Sequence, residues 1–119
     1  MQIKKKYQNI RPELLFDELK DLITNLGAIV VQSKMETYSM PDDSSSFISR
    51  GILTFRIKTG AGKADKECVQ AHIVGSARGE TKLLLDIDEH LFTEDRISSL
   101  QDDLEFILGS YEIKPKPAD

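Results

Sequence analysis

The sequence predicts a two-layer α+β domain: an antiparallel sheet of four to five strands with two helices packed on one face, in the order β-α-β-β-β-β-α. Three observations carry this. Three runs between residues 47 and 88 alternate apolar and polar side chains, the period of a strand with one buried face. The connections between those runs are short, so neighbouring strands run antiparallel. Two further segments set apolar residues at helical spacing along one stripe, so each helix has a single face to bury, and the sheet is where both can bury it.

Residues 2–8 read as a short strand, and Lys4, Lys5 and Lys6 in succession suit a sheet edge. The first helix opens at Pro12, because a first helical position needs no N–H. Its apolar stripe is Leu15, Leu19, Leu22, Ile23 and Leu26, and Gly27 can take the left-handed position that ends it. Residues 28–38 read as a strand with Ile29, Val31 and Met35 on one face and Gln32, Lys34 and Glu36 on the other. Residues 39–46, Ser-Met-Pro-Asp-Asp-Ser-Ser-Ser, are a loop by composition.

The three alternating runs follow. Phe47, Leu53, Phe55 and Ile57 share the inner face of the first, Val69, Ala71 and Ile73 that of the second, and Leu83, Leu85 and Ile87 that of the third. A register that stacks these sets opposes Ile57, Val69 and Leu85, then Phe55, Ala71 and Leu83, then Leu53, Ile73 and Thr81. The outer face carries Arg56, Gln70 and Leu84, with Thr54, His72 and Lys82, and is expected to be wet. The second helix starts at Thr93, which can cap free N–H groups, with Glu94 and Asp95 at the positive end of the dipole. Ile97, Leu100, Leu104, Ile107 and Leu108 form its stripe, and Gly109 can end it. One domain is expected over residues 1–113, with an extended, flexible tail over 114–119.

The net charge of −4 argues against nucleic acid and anionic membranes as partners, both of which need a basic field. No stretch approaches the ~18 apolar residues of a membrane span. Nor does an apolar run follow Lys6 to make a signal peptide. A single cysteine, Cys68, makes an intramolecular disulfide impossible, so a cytoplasmic setting is expected.

Strand direction gathers Arg11, Arg50 and Arg78 at one rim, beside the serine-rich loop and the start of the first helix. Helix N-termini offer N–H groups to anions, and arginine grips a carboxylate or phosphate with two bonds. The rim is therefore the candidate anion site: Arg11, Arg50 and Arg78, with Ser45 and Ser46 assisting. Its competitor is plain charge pairing of those arginines with Glu13, Asp42, Asp43 and Glu80.

Other patterns fail on spacing. Gly60-Ala61-Gly62-Lys63 lacks the earlier glycine and the following Ser or Thr of a phosphate-binding loop. Cys68 and His72 share a face, but four residues of strand span roughly 13 Å, too far for a nucleophile–base pair. That face thus reads as a poor place to look for chemistry. Asp86, Asp88 and His90 also share a face but are spaced too widely to converge on a metal. No catalytic motif, metal set or cofactor fingerprint is found.

In its element order (strand, helix, consecutive antiparallel strands, C-terminal helix) the chain resembles a shortened helix-grip domain of the START and Bet v 1-like group. The resemblance implies an apolar ligand between sheet and helices, hence a small-ligand carrier or enzyme. The residues themselves favour a non-catalytic binding or interaction domain, with a small anionic ligand at the rim or a second copy of the chain as partner. Ile48, Ile52, Val74 and Leu84 on the otherwise polar face could meet such a partner.

Overall fold

A computed structural model describes the backbone of residues 1–40, 43–57, 66–76 and 79–114, and their side chains except at 40 and 43–46. The elements are β1 (Gln2–Tyr7), α1 (Pro12–Asn25), β2 (Ile29–Met40), β3 (Asp43–Ile57), β4 (Lys66–Gly75), β5 (Thr81–Ile87) and α2 (Glu94–Leu108), then a 3-10 turn at Gly109–Tyr111. The five strands form one antiparallel sheet in the order β1-β5-β4-β3-β2. Both helices lie on one face, so the two-layer α+β architecture and its element order are those the alternation predicts. No helix among the described residues is long and apolar enough to cross a membrane.

The interlayer is filled by side chains that are almost wholly buried. Leu15, Leu19 and Ile23 come from α1, Leu100 and Leu104 from α2, and Leu53, Phe55, Ile73, Leu83 and Leu85 from the sheet. Pro12 does begin α1, and Gly27 does follow it with φ +101°. Thr93 precedes α2 without a side-chain cap bond. Gly109 does end α2, staying right-handed and starting the 3-10 turn. Ile107, placed on the buried stripe by spacing, is 40% exposed, and the residues of α2 that are buried are Ile97, Leu100, Leu104 and Leu108.

The strands hold the expected inner faces but not the expected pairs. Phe55 opposes Val69, which opposes Ile87; Leu53 opposes Ala71 and then Leu85; Gly51 opposes Ile73 and then Leu83. Relative to the stacking of Ile57, Val69 and Leu85, β3 and β5 are each slid by two residues. A two-residue slide keeps every side chain on its face, so alternation cannot detect it. Packing selects the observed register. A Cβ at Gly51 would lie 2.6 Å from Phe16 Cδ2, so the glycine makes room for the Phe16 ring over the sheet.

Two bulges alter faces locally. One between Val30 and Gln32 leaves Ile29 and Val31 exposed and turns Val30 toward the core, reversing the predicted inward pair. Another between Phe55 and Arg56 sets Val69 and Glu67 against consecutive β3 residues. Cys68, the extra residue, is turned inward to 2% exposure and away from the face of His72. The serine-rich segment is a further correction. Residues Ser39–Met40 and Asp43–Ser46 are strand, and Met40 pairs with Asp43, so the predicted loop shrinks to residues 41–42, which lie outside the described residues. Ser39 pairs with Phe47 and Met40 with Asp43 across a register irregularity that leaves Ser44–Ser46 without a paired partner among the described residues. The Gly60–Lys63 segment also lies outside the described residues.

Candidate functional site

The open face of the sheet can be read as rows running across the strands, about 4.8 Å per step. One row is Glu36, Arg50, Val74, Lys82 and Lys6; the next is Lys34, Ile52, His72, Leu84 and Lys4. Val74 is at the middle of the first row and His72, between Ile52 and Leu84, at the middle of the second, with Lys82, Lys6 and Lys4 on the β1–β5 side.

The chain after α2 builds a wall there. Gln8 donates its N–H to the Tyr111 carbonyl (2.8 Å), and Ile113 donates to the Lys6 carbonyl (2.8 Å). With the Tyr7–Glu112 bridge, these bonds lay residues 111–113 antiparallel along the outer edge of β1. Alternation puts Ile113 beside Lys6 on the open face and Glu112 beside Tyr7 on the helix side. Two ion pairs clamp the segment: Lys5 Nζ to Glu112 Oε1 and Lys114 Nζ to Glu105 Oε1, both 3.1 Å. The first is largely shielded from water and so is less screened than a surface pair.

Floor and wall enclose a half-open cavity of about 660 Å³, lined by Lys4, Lys6, His72, Val74, Lys82, Leu84 and Ile113, with Lys5, Leu83, Glu112 and Lys114 at its margins. Its size lies within the ~300–1,000 Å³ of small-molecule sites. Lys5 and Lys114 are taken up by Glu112 and Glu105, whereas Lys4, Lys6 and Lys82 form no ion pair among the described residues. The nearest acid along β5, Asp86, instead accepts from Gln2 Nε2 at 2.9 Å. An acidic chain thus concentrates three ammonium groups, in no ion pair among the described residues, around a floor of Val74, His72 and Leu84. That arrangement raises the local concentration of anions and offers their apolar parts a dry surface.

The residues singled out from the sequence are distributed as follows. Arg50 is exposed on the open face, in the same row as Lys82 and Lys6. Arg11 immediately precedes α1, its carbonyl accepting from Leu14 and Leu15, in the helix layer. Between them, Ser49 has the parity opposite to Arg50 and donates to Glu13 Oε1 at 2.6 Å, so Glu13 is engaged by a hydroxyl. Ser45 and Ser46 are strand residues roughly 10–14 Å beyond Ser49 along β3. Arg78 lies outside the described residues. Arg50 shares the open face with the cavity lysines, while the side chains of Ser45 and Ser46 lie outside the described ones.

The lysines Lys4, Lys6 and Lys82, with Ile113, are what sequence reasoning missed. The clue was the common parity of Lys4 and Lys6, but their approach to Lys82 depends on β1 pairing with β5, which no local pattern announces.

A second, shallower hollow of about 300 Å³ is lined by Glu67, Cys68, Gln70, Asp86 and Asp88 and has the opposite charge. Burial pushes the Cys68 thiol above its ordinary pKa, and its Sγ lies 3.6 Å from the Phe55 carbonyl oxygen. Asp88 Oδ1 there accepts the His90 backbone N–H at 3.0 Å. Among the described residues no three His, Cys, Asp or Glu side chains are placed to hold a metal ion.

Compared with known proteins, the chain matches no family model, and neither a curated protein nor a solved structure is significantly similar to it.

Proposed function

We propose that this chain is a binding domain that takes an amphipathic anion, a carboxylate or phosphate carried on an aliphatic body, on the open face of its sheet. The observation that carries the reading is the convergence of Lys4, Lys6 and Lys82 on the cavity floored by Val74, Leu84 and Ile113. The lysines supply charge-assisted hydrogen bonds to the head group, and the aliphatic floor accepts the body. Arg50, farther along the row of Lys6 and Lys82, extends the basic track toward the anion-binding rim expected from the sequence. The interlayer is the other place a ligand could lie, as the helix-grip resemblance implies. Leu15, Leu19, Ile23, Leu53 and Leu85 meet there with no exposed surface, and this favours the open face.

Titration with decanoate, decanol and decyltrimethylammonium, followed by amide chemical shifts, tests the proposal. Decanoate is expected to move the signals of β1, β4 and β5 and to bind about tenfold or more tightly than decanol, the worth of one charged hydrogen bond. The combined Lys4→Ala, Lys6→Ala and Lys82→Ala variant should lose that preference at unchanged thermal stability. Equal affinity for decanoate and decanol, or shifts confined to the helices, would refute it.

A further inference from the structure

We infer that β2 is the contact strand of a symmetric dimer, in which the β2 edges of two copies pair antiparallel and join the two sheets into one. The two edges of the sheet differ. The β1 edge is already covered by residues 111–113, whereas among the described residues no element pairs with the outer side of β2. An uncovered edge of this length presents a row of free N–H and C=O groups. Exposed apolar side chains gather at this side of the molecule: Ile29 at 43%, Val31 at 36% and Tyr38 at 48% on β2, and Phe47 at 53% on the neighbouring β3.

Charge identifies a second copy as the occupant. Lys34 and Glu36 are both on the open face and touch within the chain, Nζ to Oε1 at 2.6 Å. A twofold axis through Met35, perpendicular to the sheet, sets Lys34 of each copy opposite Glu36 of the other. It also sets Ser33 opposite Thr37 and Gln32 opposite Tyr38. Opposite charges directly across a strand pair stabilise it and like charges oppose it. Sliding this register by two residues either way places Lys34 against Lys34 or Glu36 against Glu36. A one-residue slide would oppose side chains of different faces, which two copies joined through the same edge cannot do. The strand is therefore complementary to itself in one register. The bulge at Val31 lies beyond the paired stretch of Gln32–Tyr38 and does not interrupt it. The axis keeps both open faces on the same side of the joined sheet, with the two lysine-lined cavities at its far ends.

Sedimentation velocity of the full chain at up to about 300 µM, enough to populate even a weak dimer, is the first test. The wild type is expected to dimerise, Glu36→Lys to weaken the dimer about tenfold or more through like-charge opposition, and the Lys34→Glu/Glu36→Lys exchange to restore it. Cross-linking reports the register. Residues on the axis meet with Cα atoms about 4.5–5.5 Å apart, within reach of a disulfide, so Met35→Cys should oxidise to a covalent dimer. Ser39→Cys, roughly 27 Å from its symmetry mate, should not. Native Cys68 is buried and does not compete. A wild type that stays monomeric overturns the inference. So does a dimer indifferent to Glu36→Lys, or one that cross-links through Ser39→Cys as readily as through Met35→Cys.

Discussion

Replacing Tyr7 by phenylalanine is expected to stabilise the protein. Tyr7 is fully buried at the end of β1, and its hydroxyl has no hydrogen-bond partner among the described residues. In the unfolded chain that hydroxyl is bonded to water, so folding strips it of a bond and returns none. Such an unsatisfied group costs about 1–3 kcal/mol, while the ring, which does the packing, is retained in phenylalanine. A gain of about 1 kcal/mol at neutral pH is the conservative expectation, or about 4 °C in Tm for a chain of this length. The advantage should widen at high pH. Burial, then the nearby Glu112 and Glu105 carboxylates, raises the pKa of Tyr7 in the folded protein well above its usual value. An unfolded tyrosine ionises near 10, so above about pH 10 the unfolded chain holds fewer protons than the folded one. The wild type therefore shows no such pH effect below about pH 10 and loses stability progressively above it, whereas the Tyr7→Phe protein lacks this loss. Urea melts of both proteins by circular dichroism at pH 7, 10 and 11 measure the difference directly. A Tyr7→Phe protein less stable by more than about 0.5 kcal/mol at pH 7 would mean that the hydroxyl is satisfied, and the reasoning fails.

Two glycines should tolerate alanine unequally. A Cβ at Gly75 would meet the Thr81 backbone at 2.7 Å and the Glu80 carbonyl oxygen at 2.9 Å, neither of which can swing aside. At Gly51 the close atoms belong to the side chains of Phe16 and Met35. Thermal melts should show Gly75→Ala costing more than about 2 kcal/mol and Gly51→Ala about 1–2 kcal/mol. The Cys68 thiol, buried and with its pKa raised chiefly by that burial, should resist iodoacetamide at pH 8. Its alkylation, followed by mass spectrometry, should be slowed by about 10³ or more relative to urea-unfolded protein, in line with global stability.

What was legible in the sequence was whatever one element states by itself. Pro12 and Gly27 bound the first helix because each imposes a backbone geometry. The inner faces of β3, β4 and β5 follow from alternation. Relations between strands were less legible, since a two-residue slide costs nothing in pattern and is decided by the space Phe16 needs over Gly51. Bulges hide for the same reason: nothing in Val30-Val31-Gln32 or Glu67-Cys68-Val69 marks the residue that drops out of the ladder. The candidate site was still less legible, because it joins β1, β5, β4 and the chain after α2. Arg50 was located by parity on one strand, whereas Lys4, Lys6 and Lys82 become neighbours only once both ends of the chain have met.

That meeting governs how the molecule assembles. The Lys5–Glu112 pair closes over 107 residues, and β1 finds β5 only across the whole intervening fold. The entropy of closing so long a loop is repaid only after β5 is in place. The hairpins of β2 to β5 are therefore expected to form early as local structure, with β1 and residues 111–113 docking last. A ligand held between Lys4, Lys6 and Lys82 would bind none of those earlier species. Its binding energy would fall wholly on the final docking step, slowing the departure of β1 and pulling folding to completion by mass action.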